Sequence, residues 1–232
     1  MSLKKLFPLL LSCFLSFQIS VAFADDYSDA AALVDKSAIV FKSFTEDSSM
    51  GWFQDNLMYA KGVFIVPQML KVGFFIGGSG GSGVLLSKNM EFRTWSYPVF
   101  YTMGAVSLGL QFGGEASEII LMIMTDKGMG SMFSTSFKLG ADVTVAAGPV
   151  GRGAKAATAD ILAFARSKGA FIGVAVEGSV LKPLDTWNYA YYKNLVTPFD
   201  IISKKTVRNP HANNLRNIVR EKSKLRTNKV SY

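Results

Sequence analysis

Apolar residues recur at helical spacing near the start of the chain. Between residues 27 and 48, Leu33, Val40 and Phe44 fall on one face of a helix. The aromatic-rich stretch that follows predicts a second short helix over residues 52–60. We expect these aromatic side chains to pack in the core, with amphipathic contact to lipid as the alternative.

Strand patterns dominate from residue 62 onward. Residues 104–112 alternate between apolar and small or polar positions, as in a strand with one buried face. Residues 119–124 are wholly apolar, which predicts a strand buried on both faces. Further strands are predicted at 63–66, where Pro67 ends the run, and at 71–77, 83–87, 141–146, 161–166 and 170–177, with short helices at 126–134 and 184–194.

Glycine and polar turn signals separate many of these strands, which favours antiparallel pairing. Strands do not alternate regularly with long helices, so a doubly wound sheet is not expected. The predicted fold class is therefore α+β: a mainly antiparallel, Gly-rich, strongly curved β-sheet or barrel-like core, with short helices at the N- and C-terminal ends. A chain of 232 residues is long enough to bury a substantial core.

A glycine-rich segment lies in the middle of the strand region and predicts a turn. Its glycines are Gly77, Gly78, Gly80, Gly81 and Gly83. They contain a formal G-x-G-x-x-G, but the segment leads into a strand pattern at 84–86 and not into the helix that a dinucleotide site requires. The favoured interpretation is a structural turn, and the alternative is a hairpin whose amides contact a phosphate head group.

The first 24 residues indicate a secretory signal peptide. Lys4-Lys5 precede an apolar stretch, and Ala22-Phe23-Ala24 forms a small-x-small cleavage site. Two alternatives remain, an uncleaved membrane anchor and a lipoprotein modified at Cys13. The domains expected are thus a signal peptide at 1–24, a folded body at 25–202 and a basic tail at 203–232.

Cys13 is the only cysteine, so cleavage after Ala24 leaves a mature chain without disulfides, thiol nucleophiles or cysteine-ligated metals. The single histidine, His211, excludes a multi-histidine metal site. No D-x-D, H-E-x-x-H or EF-hand spacing occurs. We therefore predict no catalytic residues, no metal, no cofactor and no enzymatic activity, with a carboxylate-based hydrolase as the weakest alternative.

The formal charge of +8 is unevenly distributed along the chain. Residues 25–202 carry a net −2, whereas residues 203–232 carry +8. Asn213 is placed to cap an amphipathic tail helix whose apolar face includes Leu215 and Val219. Its basic residues are Arg216, Arg220, Lys222, Lys224 and Arg226. This pattern favours an anionic lipid surface or an acidic partner over nucleic acid, and a solvated tail is the alternative.

An ordered series of motifs resembles the SYLF domain family. AKGVFIVP at 60–67 is followed by KVGFFIGG at 71–78 and GVLL at 83–86, and later matches are WSYP at 95–98, GLQFG at 109–113, AGPVGR at 147–152, RSKGAFIGVAVEG at 166–178 and NYAYY at 188–192. The resemblance runs from about Ala31 to Tyr192 and leaves the basic tail outside it. Phe164-Ala165 departs from the Tyr-Ser of many relatives, which puts a hydroxyl role there in doubt.

This resemblance implies lipid binding, with phosphoinositides in eukaryotic members, actin binding in yeast members, and export in bacterial members. We therefore expect non-enzymatic binding of anionic phospholipid by an exported bacterial envelope protein, periplasmic or secreted and peripherally membrane-associated, assisted by the cationic tail. The alternative is a protein-interaction module with an envelope or actin-like partner. Head-group candidates are Lys61, Lys71, Arg152, Lys155, Arg166 and Lys168.

Overall fold

Asp26–Glu46 forms helix α1, as the pattern of residues 27–48 predicts. The Asp25 carboxylate accepts a hydrogen bond from the Tyr27 amide, and Asp29 adds negative charge to the first turn. Both features stabilise a helix start. A short 3₁₀ turn then leads into α2 (Gly51–Asn56) and a second 3₁₀ turn (Leu57–Tyr59), which confirms the predicted helix at 52–60.

The computed structural model describes residues 25–73, 76–108, 113–149, 158–167, 170–171 and 176–224. The expected signal peptide at 1–24 lies outside these described residues, as do the candidate residues Arg152, Lys155, Lys168 and Arg226.

The strands form a strongly curled half-barrel. They are β1 (Gly62–Gly73), β2 (Ile76–Asn89), β3 (Thr94–Trp95), β4 (Val99–Leu108), β5 (Gly113–Ile123), β6 (Phe137–Lys138), β7 (Val145–Ala147), β8 (Ile161–Ser167), β9 (Ala170–Phe171) and β10 (Val180–Pro183). In the described residues the order across the sheet is β6-β10-β4-β2-β1-β5-β8-β7, with β3 beside β2 and β9 beside β8. Every pair is antiparallel except β7 with β8. The predicted α+β fold class, mainly antiparallel and strongly curved, is confirmed.

Strand β1 passes through Pro67, so the prediction that this proline ends a strand was wrong. The pairing of β1 with β5 shifts register between Val66 and Met69, which places the proline in a bulge. A bulge tolerates proline because a residue there has no ladder hydrogen bond to donate. The expected separate strand at 71–77 was also wrong, because residues 71–73 belong to β1 and residues 76–77 begin β2.

Both faces of the sheet are covered by apolar cores. Val63 and Ile65 of β1 belong to one core, with residues of α1, whereas Phe64 and Val66 belong to the other. This alternation is the two-residue period of a strand. Residues Ile119–Ile123 of β5 are all buried, which confirms the prediction of burial on both faces.

The connections beyond β5 include α3 (Asp126–Ser131), which confirms the short helix expected there. The strand expected at 141–146 is shorter, since β7 begins only at Val145. Asp160, just before β8, accepts hydrogen bonds from the Thr125 hydroxyl and from the amide and hydroxyl of Thr144. These bonds lower the pKa of Asp160 to about 2 and fix the start of β8.

The C-terminal part contains α4 (Asp185–Tyr192), as predicted, then a π-helical turn (Asp200–Lys204), a 3₁₀ turn (Pro210–Ala212) and α5 (Asn213–Lys222). Asn213 does not cap α5. The side chain of Asn209 instead accepts a hydrogen bond from the His211 amide and caps the 3₁₀ turn that precedes α5.

Candidate functional site

Two of the three predicted head-group cations within the described residues, Lys61 and Arg166, belong to separate structural pairs. Lys61 donates to Asp126 at 2.8 Å. Arg166, on β8, donates to Glu118 of the neighbouring strand β5 at 3.0 Å and stacks 4.8 Å above the ring of Phe44. Because each has a carboxylate partner within the chain, these two residues do not form one open anion site.

Lys71 lies on β1, opposite Ser79 of β2, and is partly buried. Among the described residues it has no ion pair within 4 Å. It does not line the groove beside Arg166, to which β1 contributes Pro67 and Gln68.

The glycine segment is not a loop. Its members Gly77, Gly78, Gly80, Gly81 and Gly83 lie within strand β2. A Cβ built on Gly83 would stand 2.6 Å from the Ile65 carbonyl oxygen, so β1 comes too close to allow a side chain there. Gly83 therefore serves close packing of two strands, and the prediction that this segment forms a turn was wrong.

Helix α5 lies against the body of the protein. Leu215 and Val219 are fully buried, so the apolar face of this helix is already covered by the chain itself. Arg216 donates to the carbonyl oxygens of Trp95 and Ser96. The predicted amphipathic helix exists, but its apolar face is not free to enter a membrane.

Exposed apolar side chains occur in the turn between β2 and β3, which lies beside the C-terminal end of α5. Phe92 is 66% exposed and Met90 is 52% exposed. Tyr59, which is 58% exposed, lines a cleft together with Met90. The Phe92 amide donates to the Asn89 side chain at 2.9 Å, and Arg93 adopts a left-handed conformation with φ of 49°. This turn holds Met90 and Phe92 outward.

Cations line the cleft beside Tyr59 and Met90. The cleft of about 560 Å³ is lined by Lys88 and Arg93 of the hairpin, by Arg220 and Lys224 of the tail, and by Met58, Tyr59, Met90 and Ser223. We call Tyr59, Met90, Phe92, Lys88, Arg93, Arg220 and Lys224 together the basic–apolar face. Two carboxylates also lie there, in the exposed Glu91 of the turn and in Glu221.

The charges of this face are only partly balanced. Glu221 accepts from Lys224 at 2.7 Å and stands 3.5 Å from Arg220, and the hydrogen bond from Lys224 lowers its pKa. Burial and, to a smaller degree, the charge of Arg93 lower the pKa of Lys88. An anion between these two cations would favour their charged forms.

Sequence reasoning found Arg220 and Lys224 but missed Lys88, Arg93 and the apolar residues. The available signal was a turn in which charged and large apolar residues alternate from Lys88 to Arg93. Within the described residues, no helix is long and apolar enough to cross a membrane, and no three or more His, Cys, Asp or Glu side chains are grouped as metal ligands.

The comparisons with known proteins agree with the resemblance seen in the motifs. A family model described as "Ysc84: Las17-binding protein actin regulator" matches residues 104–222. This match extends beyond Tyr192 through helix α5, although we expected the tail to lie outside the resemblance.

Three relatives illustrate the similarity. LAS seventeen-binding protein 3 of Saccharomyces cerevisiae is 35% identical over 167 residues, which cover 68% of this chain and 36% of the relative. Protein YSC84 of the same species is 32% identical over 176 residues, covering 72% of this chain and 37% of the relative. Human SH3 domain-containing YSC84-like protein 1 is 28% identical over 196 residues, covering 79% of this chain and 56% of the relative.

The matched region spans only part of each of these relatives. Together with the family match and the curled half-barrel, the identity over more than two thirds of the chain decides the family. The chain belongs to the Ysc84 family, whose shared unit is the SYLF domain.

Proposed function

We propose that this chain is a non-enzymatic binding protein that docks on anionic phospholipid surfaces through the basic–apolar face. The observation that carries the proposal is that Met90 and Phe92, both more than half exposed, lie in a turn beside a cleft that is lined by cations from the hairpin and from the tail. Large exposed apolar groups beside basic residues are typical of proteins that insert side chains into a lipid interface.

Two physical terms support binding. Each Lys or Arg close to an anionic bilayer contributes about 1 kcal/mol, a contribution that salt screens. Four cations and two carboxylates lie on this face, so its net electrostatic attraction is about 2 kcal/mol. Burial of Met90 and Phe92 in the acyl region adds an apolar term that salt does not screen.

The expected location fits this proposal. The N-terminal pattern, Lys4-Lys5 before an apolar stretch and a small-x-small site at 22–24, supports export to a bacterial envelope. Anionic phospholipid surfaces are present there. The family description names a Las17-binding actin regulator and the yeast relative's name a binding protein, which supports a binding role without catalysis.

Co-sedimentation with vesicles tests the proposal. The probe is phosphatidylglycerol mixed into phosphatidylcholine, at low and at high salt, with the tagless chain starting at Asp25. We expect binding at low salt, and weaker binding for Arg93→Gln combined with Arg220→Gln. The control is Lys138→Gln combined with Lys182→Gln, which removes two exposed charges elsewhere. No binding to anionic vesicles at low salt, with or without residues 225–232, would reject the proposal.

A protein-interaction role is the second candidate. The family description and the yeast relative's name refer to Las17 binding and actin regulation in those proteins. A groove of about 510 Å³ lies between α1 and the sheet, with Ile39, Pro67 and Arg166 among its lining residues, and Ile39 is 69% exposed. A partner captured in detergent and high salt, and lost in Ile39→Ser, would favour this role.

A further inference from the structure

A second cleft lies on the other side of Lys88 from the basic–apolar face. It is enclosed by the β2–β3 hairpin, the segment of residues 201–208 and the first turns of α5, and its volume is about 520 Å³. We call it the hairpin cleft. The polar and charged residues used below are Lys88, Ser96, Ser203, Lys205, Arg208 and Arg216.

All charged residues described along the hairpin cleft are cations. Lys88, Lys205, Arg208 and Arg216 line it, and no carboxylate does among the described lining residues. The hydroxyl groups of Ser96 and Ser203 add polar surface. Four like charges around one cleft repel each other, so an anion bound between them would be stabilised by all four.

Lys205 and Arg208 are held in place by the backbone that carries them. The side chains of Ile201 and Val207 are buried in the core, and Lys205 adopts a left-handed conformation with φ of 54°. The neighbouring Lys204 donates to Asp200 at 2.8 Å. Lys205 and Arg208 themselves have no carboxylate within 4 Å in the part of the chain that the structure describes.

Arg216 adds a half-buried charge without a carboxylate partner among the described residues. Its guanidinium stacks 3.9 Å from the centre of the Tyr97 ring and donates to the carbonyl oxygens of Trp95 and Ser96 and to the Asn213 side chain. Carbonyl oxygens satisfy its donors but do not neutralise its charge. A partly desolvated cation therefore faces a cleft that already holds three others.

We propose that the hairpin cleft binds a phosphate monoester, either free or as a lipid head group. A phosphate monoester carries close to two negative charges and three free oxygens, which suits the exposed Lys205 and Arg208. Lys88 and Arg216 add positive charge, although the Lys88 ammonium donates to the Met58 carbonyl oxygen and the Arg216 guanidinium to those of Trp95 and Ser96. The cleft is larger than one phosphate, so it also has room for the esterified group. This site goes beyond the proposed membrane docking and shares only Lys88 with the basic–apolar face.

Binding of inorganic phosphate tests the site without lipid. Isothermal titration at low salt compares the unmodified chain with Lys205→Gln combined with Arg208→Gln. Both side chains are exposed, so this variant is expected to keep its fold, which circular dichroism and the melting temperature check. We expect a loss of about tenfold or more in affinity, since two charge-assisted contacts disappear. Lys138→Gln combined with Lys182→Gln, the matched control, should stay within about twofold.

Equal phosphate affinity in the two double variants, or no phosphate binding by the unmodified chain, would overturn the proposal.

A second experiment, with vesicles, identifies the source of the phosphate ligand. Phosphatidic acid presents a monoester and phosphatidylglycerol a diester, and the two vesicle types are matched for surface potential. A preference for phosphatidic acid that the Lys205 and Arg208 changes remove identifies a lipid head group. Phosphate binding without that preference identifies a soluble ester.

The two proposals fail separately. Phe92→Ala should weaken binding to both vesicle types and leave inorganic phosphate binding unchanged, because Phe92 is not among the residues lining the hairpin cleft. If no variant binds vesicles, the membrane-docking proposal fails, while the affinity for inorganic phosphate still tests the hairpin cleft.

Discussion

Phe92→Ala should weaken binding to anionic vesicles and leave the stability of the protein unchanged. About 66% of this side chain is exposed, which is about 130 Å² of a phenylalanine's roughly 200 Å². At about 25 cal/mol per Å², full insertion of that surface into lipid stabilises the complex by about 3 kcal/mol. Alanine keeps part of this apolar area, and a side chain at a lipid interface is only partly inserted. We therefore expect the variant to lose about 1–2 kcal/mol of the free energy of vesicle binding.

The expected loss corresponds to about five- to thirtyfold in the vesicle partition coefficient. Tryptophan fluorescence or co-sedimentation over a lipid titration measures this coefficient, and high salt should leave the ratio between the two proteins nearly constant, since the lost term is apolar. Leu195→Ala is the matched control, because Leu195 is 85% exposed and lies in the connection after α4. If Phe92→Ala and Leu195→Ala bind equally well, the membrane-facing assignment of the β2–β3 turn is wrong.

Three further predictions concern the fold. Gly83→Ala should lower the free energy of unfolding because the new Cβ would meet the Ile65 carbonyl oxygen at 2.6 Å, whereas Gly130→Ala should raise it by about 0.5–1 kcal/mol because that helix position is open; urea unfolding separates the two. Leu215→Ala should cost about 2–5 kcal/mol and release α5, seen as faster amide exchange. At pH values above its ordinary pKa of 3.8, the ionised Asp160 stabilises the folded state, and this stabilisation should be lost as the pH falls toward 2. Asp160→Asn should flatten that part of the curve of unfolding free energy against pH.

Local patterns predicted the regular elements well. The helical spacing in residues 27–48 corresponds to α1, and the unbroken apolar run at 119–124 corresponds to a strand covered on both faces. These predictions depend on the period of side chains along one segment, which the segment carries by itself. The motif series likewise led to the correct family without any knowledge of the fold.

Other features required the pairing of distant segments. Pro67 by itself predicts a strand end, but β1 pairs with β2 and β5 both before and after a bulge at this position, so the strand continues. The glycines at 77–83 read as a turn, although their place in β2 is set by the close approach of β1. The sequence gives no sign of a partner for Arg166, yet its guanidinium pairs with Glu118, 48 positions earlier in the chain.

Sequence by itself determined most of the helices, the doubly buried strand, the family, the separation of a slightly acidic body from a basic tail, and the shortage of cysteine and histidine. Only the tertiary structure decided which charges have partners and which apolar side chains remain outside the core. Phe92 and Leu215 are both apolar, yet one stands in solvent and the other has no exposed surface. Burial and charge pairing depend on contacts between segments far apart in the chain, and these contacts exist only after the sheet has curled and α5 has packed against α1.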